Sequence, residues 1–170
     1  MIFIDDINKA DKTKLKKIFF EYGELPQAEF LSREIIRYRS QNSIETTQQL
    51  VQIIYPILRK VKINKYRFLS QVFQALRIEV NDELNALRDG LEKAIRYLKC
   101  GGRIVVISYH SLEDRIVKHF FRQYSAKNKI TLQEKEYPLT KERLKILTPK
   151  PITPSLIEIK LNPKARSAKL

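Results

Sequence analysis

The sequence has 170 residues, 43% of them hydrophobic, which is enough to bury the core of one ordinary domain. It carries 33 Lys+Arg against 19 Asp+Glu, and a net charge of +14 favours polyanions such as nucleic acids as partners. The alternative is a lysine-rich bias that only keeps the chain in solution. A single cysteine, Cys100, excludes an internal disulfide framework, and no apolar run reaches the roughly 18 residues of a membrane span. We therefore expect a cytoplasmic protein with no membrane partner.

The first part of the chain predicts a small helical unit. A helix capped by Asp11 and stopped by Gly23 has apolar residues at the spacing of one helix face. A second helix is predicted from about residue 26 and a third after the cap region at residues 46 and 47. Residues 59–67 then hold five basic residues and no acid, which predicts an exposed connection.

A longer helical pattern follows that connection. Apolar positions recur at helical spacing from residue 70 to the pair Gly101 and Gly102, which ends the helix. The pattern leaves open whether this region is continuous or broken near Asn81 or near Gly90.

One buried strand and one helix come next. The run RIVVISY, Arg103 to Tyr109, is β-branched and nearly all apolar, which is typical of a strand covered on both faces in a parallel sheet. A helix is predicted from Ser111 to about Tyr124. Helix, glycine pair, buried strand and helix together form half of an α/β crossover unit.

Two weaker runs are candidates for further strands. They are KITLQEKEY, residues 129–137, and LIEIKLN, residues 156–162. A parallel sheet needs several strand-helix units, so the predicted sheet is incomplete. The chain has four glycines and no Gly-rich strand-to-helix turn, so it contains no loop that would cradle a phosphate or a dinucleotide.

The stretch HSLEDR begins the helix that follows the predicted strand. His110, Ser111 and Asp114 lie at a strand end and in the first helical turn, where side chains one position apart point in different directions, so we expect no catalytic relay among them. A metal site has little support, because His119 is the only other histidine and lies off the face of His110. The simplest interpretation is a capped helix, with Ser111 as N-cap, Asp114 completing the box and Glu113 favouring the positive helix end.

Capping leaves room for a second role. His110 lies just past the carboxyl end of the predicted strand, where open α/β sheets bind their ligands. We therefore favour capping combined with the lining of a pocket over capping alone.

Three long motifs, in order, resemble one family. They are FQALRIEVNDEL (residues 73–84), GGRIVVISYHSLEDRIVKHFF (101–121) and PKPITPS with NPKARSAKL (149–170). They resemble the RsmH, or MraW, family of S-adenosylmethionine-dependent methyltransferases, which modify N4 of a cytidine in the decoding region of 16S rRNA. The motifs match the second half of the sequences of this family, and the resemblance implies an α/β fold. It implies an all-α substrate-recognition insert at residues 1–68, and part of an incomplete Rossmann-like methyltransferase sheet at residues 69–170.

The resemblance also implies site residues, although it assigns no catalytic residue and no metal ligand. The residues implied to line or support the cytidine side of the active site are His110, Ser111, Glu113 and Asp114. The residues implied to hold RNA phosphates are Arg77, Arg115, Lys164, Arg166 and Lys169. Residues 115–170 hold 14 Lys+Arg against 4 Glu, so most of the net charge lies in this part of the chain.

The resemblance implies S-adenosylmethionine as the cofactor of the complete family enzyme. The family's first half, with its Gly-rich loop, has no counterpart in these 170 residues. We therefore expect this chain alone to bind no cofactor and to be inactive without an N-terminal half, encoded upstream or supplied as a second polypeptide. The expected partner is 16S rRNA or the small ribosomal subunit. The alternatives are a non-catalytic RNA- or ribosome-binding remnant and a decayed reading frame with a barely stable product.

Overall fold

The structure of the chain is a computed structural model that describes residues 2–60, 64–125 and 144–170. The chain divides into two compact units, Met1–Glu83 and Leu84–Leu170. In the part of the chain that the structure describes, no helix is long and apolar enough to cross a membrane.

All the regular secondary structure among the described residues of the first unit is helical. Its helices are α1 (Ile2–Lys9), α2 (Lys12–Lys17), α3 (Ala28–Arg39), α4 (Thr47–Lys60) and α5 (Lys65–Asn81), and a π-helical turn (Ile18–Tyr22) continues α2. The three helices predicted from the apolar spacing are confirmed as α2, α3 and α4. Helix α1 was not predicted, and α5 begins before the predicted residue 70.

Local signals in the sequence fix both ends of the second helix. The Asp11 carboxylate accepts a hydrogen bond from the Lys14 N–H at 2.6 Å, as expected of an N-cap. Gly23 ends the π-helical turn where the backbone approaches closely, since an added Cβ would lie 2.7 Å from the Phe19 carbonyl oxygen and 3.2 Å from that of Gln71. No larger residue fits at Gly23 without moving the chain.

The core of the first unit is continuous and closely packed. Helix α5 contributes Phe68 and Val72, which are fully buried, and so belongs to this unit rather than to the next. This compact unit extends to Glu83. The division of the family's two parts between residues 68 and 69 stays a prediction. The Asn8 amide fixes one loop, donating to the Ile44 carbonyl at 2.7 Å and accepting from the Ile44 N–H at 3.1 Å.

The second unit begins just past a helix break. Of the two predicted break points the structure has the first, because α5 ends at Asn81 and Asp82 takes a left-handed conformation with φ 49°. The helices that follow are α6 (Glu83–Tyr97), α7 (Ser111–Gln123) and α8 (Leu156–Leu161), and a 3-10 turn (Pro163–Ser167) follows α8. Helix α7 confirms the predicted helix after the RIVVISY run.

The prediction that Arg103–Tyr109 is a buried strand in a parallel sheet is wrong. The segment is extended, but within residues 2–60, 64–125 and 144–170 it forms one isolated antiparallel bridge, between Ser108 and Lys169, and no sheet. Two of its apolar side chains, those of Val105 and Ile107, face solvent and are 67% and 56% exposed. A β-branched run favours extended backbone, but burial on both faces requires neighbouring strands.

The two weaker strand predictions have different outcomes. Residues 156–161 are helical, because the Ser155 hydroxyl accepts the Glu158 N–H at 3.2 Å and starts α8. The strand prediction for LIEIKLN is therefore wrong, since its apolar spacing fits a short helix as well as a strand. The KITLQEKEY run lies outside the described residues.

Candidate functional site

The start of α7 is capped by His110 rather than by Ser111. The extended backbone of His110 lets its Nδ1 accept the Glu113 N–H at 3.4 Å. Glu113 reaches back, and its Oε2 accepts the N–H groups of Tyr109 at 2.8 Å and His110 at 3.4 Å. The two side chains form a capping box, so Ser111 is the first helical residue and Asp114 lies outside the box.

This cap also fixes the orientation of the imidazole. Since Nδ1 accepts a backbone N–H, Nε2 is turned toward the Glu113 carboxylate and lies 3.3 Å from its Oε1. The His110 side chain is only 10% exposed. The geometry therefore gives His110 a structural role at the helix start, which the sequence alone left unexplained.

Asp114 is the centre of a small charged cluster. Its Oδ2 accepts hydrogen bonds from the Lys118 ammonium at 2.9 Å and from the Lys169 ammonium at 3.2 Å. Burial acts to raise the pKa of Asp114, but the hydrogen bonds from the two lysines outweigh it, so the pKa lies below its usual 3.8. The carboxylate is thus ionised at neutral pH and holds two cations beside the start of α7.

The C-terminal residues are bound to the extended segment that precedes α7. Ser108 and Lys169 exchange both backbone N–H···O hydrogen bonds at 2.8 Å. Leu170 and Ile152 exchange a second pair at 2.9 and 3.0 Å. The NPKARSAKL tail and the HSLEDR stretch, distant in sequence, are therefore joined through backbone and side chain.

The structure brings together some of the predicted site residues and not others. Lys169 contacts Asp114, which is next to the capping pair. Lys164 and Arg166 are exposed on the 3-10 turn, and the Arg166 guanidinium donates to the Pro163 carbonyl at 3.4 Å. Arg115 is exposed on α7.

Arg77 belongs to the first unit. Its guanidinium forms a two-pronged ion pair with Glu83, at 2.8 and 3.1 Å. A side chain already engaged by a carboxylate must exchange that partner before it can hold a phosphate.

Sequence reasoning missed Ser108, which is 5% exposed and one of two buried polar residues in the described part of the chain. Its backbone holds Lys169, and its hydroxyl donates weakly to the Lys169 carbonyl at 3.5 Å. No local signal could have revealed this contact, because the partner is 61 positions away.

The residues of this site do not fit a bound S-adenosylmethionine. The start of α7 is closed by its own capping box, and none of the four glycines, at positions 23, 90, 101 and 102, lies at a strand-to-helix turn. Among the residues with described positions there is also no group of three His, Cys, Asp or Glu side chains that could hold a metal ion.

Comparison with known proteins gives a consistent assignment. Residues 4–170 match the MraW methylase family. The chain belongs to this family. The family implies a Rossmann-like methyltransferase fold, whereas the described residues of this chain are mostly helical and form no sheet.

Similar curated proteins share one name, Ribosomal RNA small subunit methyltransferase H. The chain is 44% identical over 170 residues to that of Caldicellulosiruptor saccharolyticus, covering 98% of this chain and 54% of the relative. It is 46% identical over 169 residues to that of Kosmotoga olearia, covering 98% and 51%. It is 42% identical over 169 residues to that of Chlorobium chlorochromatii, covering 96% and 51%. The chain thus spans about half the length of the curated relatives it matches.

Proposed function

We propose that this chain is the substrate-side part of an rRNA methyltransferase that uses S-adenosylmethionine to methylate N4 of a cytidine in the decoding region of 16S rRNA. Family membership and the shared name of the relatives support an rRNA methyltransferase. The observation that carries the proposal is a contact between the two motifs. Lys169 of NPKARSAKL is hydrogen-bonded to Asp114 of HSLEDR and to Ser108, which lies just before that motif.

The charge distribution supports RNA as the substrate. Residues 84–170 hold 19 of the 33 Lys+Arg and 8 of the 19 Asp+Glu, a net charge of +11. Lysine and arginine on phosphates supply most of the affinity of proteins for nucleic acids. We assign Arg115, Lys164 and Arg166 to phosphate contacts, because their side chains are exposed in this unit. Lys169 and Arg77 would act after releasing Asp114 and Glu83.

The helix start would position the target base. The capping box and the Asp114 cluster hold the His110, Glu113 and Asp114 side chains in fixed orientations, and Ser111 is the first helical residue beside them. Orientation of a reacting group lowers the barrier by removing its freedom before the reaction. The residues of this helix start contribute positioning, and no transfer step is assigned to them.

We further propose that these 170 residues bind no cofactor tightly and are inactive by themselves. The Gly-rich turn that would cradle the cofactor is absent from the sequence, and the helix start offers no alternative. Activity would then require the complementary part of a family member, in the same polypeptide or as a separate one.

The test is transfer of a tritiated methyl group to small ribosomal subunits. The chain is assayed alone, together with the unmatched part of the Caldicellulosiruptor relative, and with that part alone. We expect transfer only from the combination, and less of it with Asp114→Asn and Lys169→Met, which remove the side-chain ion pair between the motifs. Transfer by the chain alone contradicts the proposal.

A second candidate is a non-catalytic RNA- or ribosome-binding protein. It is favoured by the lack of a cofactor loop together with the high positive charge of the second unit. It predicts salt-dependent affinity for 16S rRNA with no methyl transfer from any combination. Methyl transfer from the complemented chain excludes it.

A further inference from the structure

A cleft in the second unit combines positive charge with an apolar wall. It has a volume of about 660 Å³ and lies between the end of α6, the Gly101-Gly102 turn, one side of α7 and residues 144–148. Among the described residues, four cations line it: Arg96, Lys99, Arg103 and Lys145. We call it the basic cleft, and we propose that it binds a single-stranded segment of RNA.

The walls of the basic cleft are held by backbone contacts. The Leu144 N–H donates to the Tyr124 carbonyl at 2.8 Å, which joins residues 144–148 to the end of α7. Gly101 takes a left-handed conformation with φ 78°, and the turn closes with a Gly102 N–H to Lys99 carbonyl hydrogen bond at 2.8 Å. The tight turn places Lys99 and Arg103 on the same cleft.

The four cations differ from other basic residues of the chain in their partners. Lys118 and Lys169 are held by Asp114, and Arg77 is held by Glu83. No ion pair between described residues engages any cation of the basic cleft, and no Asp or Glu is among the described residues that line it. Cations that converge on one cleft attract a polyanion strongly, and among the described residues that line this cleft no carboxylate competes.

The aromatic wall favours RNA over an acidic protein. Phe121 and Tyr124 line the cleft, and Tyr124 packs on Phe120 with ring centroids 4.8 Å apart. The Tyr124 hydroxyl donates to the Glu92 carboxylate at 3.1 Å, which anchors the ring. Proteins that bind single strands pair a positive groove with aromatic faces on which bases stack, whereas an acidic segment would need only the charge.

The basic cleft contains none of the residues assigned to the target base or to phosphates above. Its occupation would therefore add a second anchor for RNA in the same unit. The inference rests on the proposed function, because it takes RNA as the substrate, but it concerns a separate surface that can fail alone.

The first test compares two variants of equal charge. The cleft variant replaces Arg96, Lys99, Arg103 and Lys145 with Gln, and the control replaces Lys9, Lys17, Lys93 and Lys150, which are exposed and lie outside the cleft. Binding of a fluorescent 16S decoding-region oligonucleotide is measured by anisotropy at several salt concentrations. We expect the cleft variant to lose affinity at least about tenfold, with the slope of log K against log salt reduced by about 2 to 3, and the control to lose much less.

A second measurement uses the unmodified chain. Cys100 is the one cysteine in the sequence, is exposed and lies in the cleft, so its alkylation rate reports on occupation. We expect saturating RNA to slow its reaction with N-ethylmaleimide several-fold. Polyglutamate at equal charge concentration should protect it less.

The outcomes distinguish a failure of the proposed function from a failure of the cleft inference alone. If the unmodified chain binds no RNA, the proposed function fails. If it binds RNA but both variants weaken binding equally, or Cys100 reacts at an unchanged rate, the cleft inference alone is overturned. Protection by polyglutamate without protection by RNA also overturns it and assigns the cleft to an acidic protein.

Discussion

Among the described residues, the first unit buries most of its large apolar side chains, whereas the second leaves many of them exposed. All twelve of the largest fully buried side chains among the described residues belong to Met1–Glu83. Of the fourteen exposed large apolar residues in the described part, eleven belong to Leu84–Leu170. The positive charge is also uneven between the units, because residues 84–170 carry +11 of the net +14.

The difference shows that similar sequence patterns give different degrees of burial. In the first unit, amphipathic helices meet other helices of the same unit, and one continuous core results. In the second, the extended Arg103–Tyr109 segment has the sequence of a buried strand, but no neighbouring strand among the described residues covers it. An apolar edge of this kind favours pairing with another strand.

The strongest test of this comparison separates the units. A chain of residues 1–83 should unfold cooperatively on heating, because its core is complete. A chain of residues 84–170 should show no cooperative transition and should bind a dye for exposed apolar surface. Circular dichroism and dye fluorescence decide the matter, and a cooperative transition in the second fragment would contradict the comparison.

Single substitutions sharpen the comparison. Phe68 is fully buried in the first unit, so Phe68→Ala should lower the free energy of unfolding by about 3 to 5 kcal/mol. The matched control is Leu161→Ala in the second unit, where the side chain is 83% exposed. Its effect should stay within about 0.5 kcal/mol in urea denaturation. Equal effects at the two positions would show that burial does not distinguish the units.

Removal of the Asp114 cluster is expected to change the free energy of unfolding less. Asp114→Asn should cost less than about 1 kcal/mol, because both lysines are partly exposed. Since the folded pKa of Asp114 is lowered, its contribution is present above pH 3.8 and is lost as the pH falls through the folded pKa. Amide exchange of Ser108 and Lys169 should quicken in the variant. Unchanged exchange would mean that the backbone pair holds the tail without Asp114.

Removal of an ion-pair cluster on the first unit is expected to have the smallest effect on stability. The Lys12 and Lys16 ammonium groups, 2.5 and 3.0 Å from the Glu29 carboxylate, lower the pKa of Glu29 to about 2. The stabilisation by this pair is lost as the pH falls from 4.5 toward 2. Carbon NMR titration of the Glu29 carboxyl should give this value, and Lys12→Gln with Lys16→Gln should return it toward normal. A normal value in the unchanged chain would exclude the cluster.

Sequence reasoning predicted local features well and distant ones poorly. The Asp11 cap and the extent of α7 depend on neighbouring residues, and the structure has both, whereas the break at Asn81 is one of two break points that the sequence left open. The burial of Arg103–Tyr109 in a sheet was not predicted correctly, because strand pairing depends on segments far along the chain, whereas the family does imply the Rossmann-like fold class. For the site, the resemblance named Asp114 and Lys169 separately, but their contact across 55 positions carries no local signal.

Calorimetric titration of S-adenosylmethionine into the 170-residue chain tests the central claim most directly. The full-length Caldicellulosiruptor relative serves as the positive control. We predict that this chain gives only heats of dilution and so shows no binding. Its described residues provide no cofactor site, and its sequence contains no Gly-rich loop. Saturable binding in the micromolar range would contradict the account of a substrate-side part that depends on a complementary half.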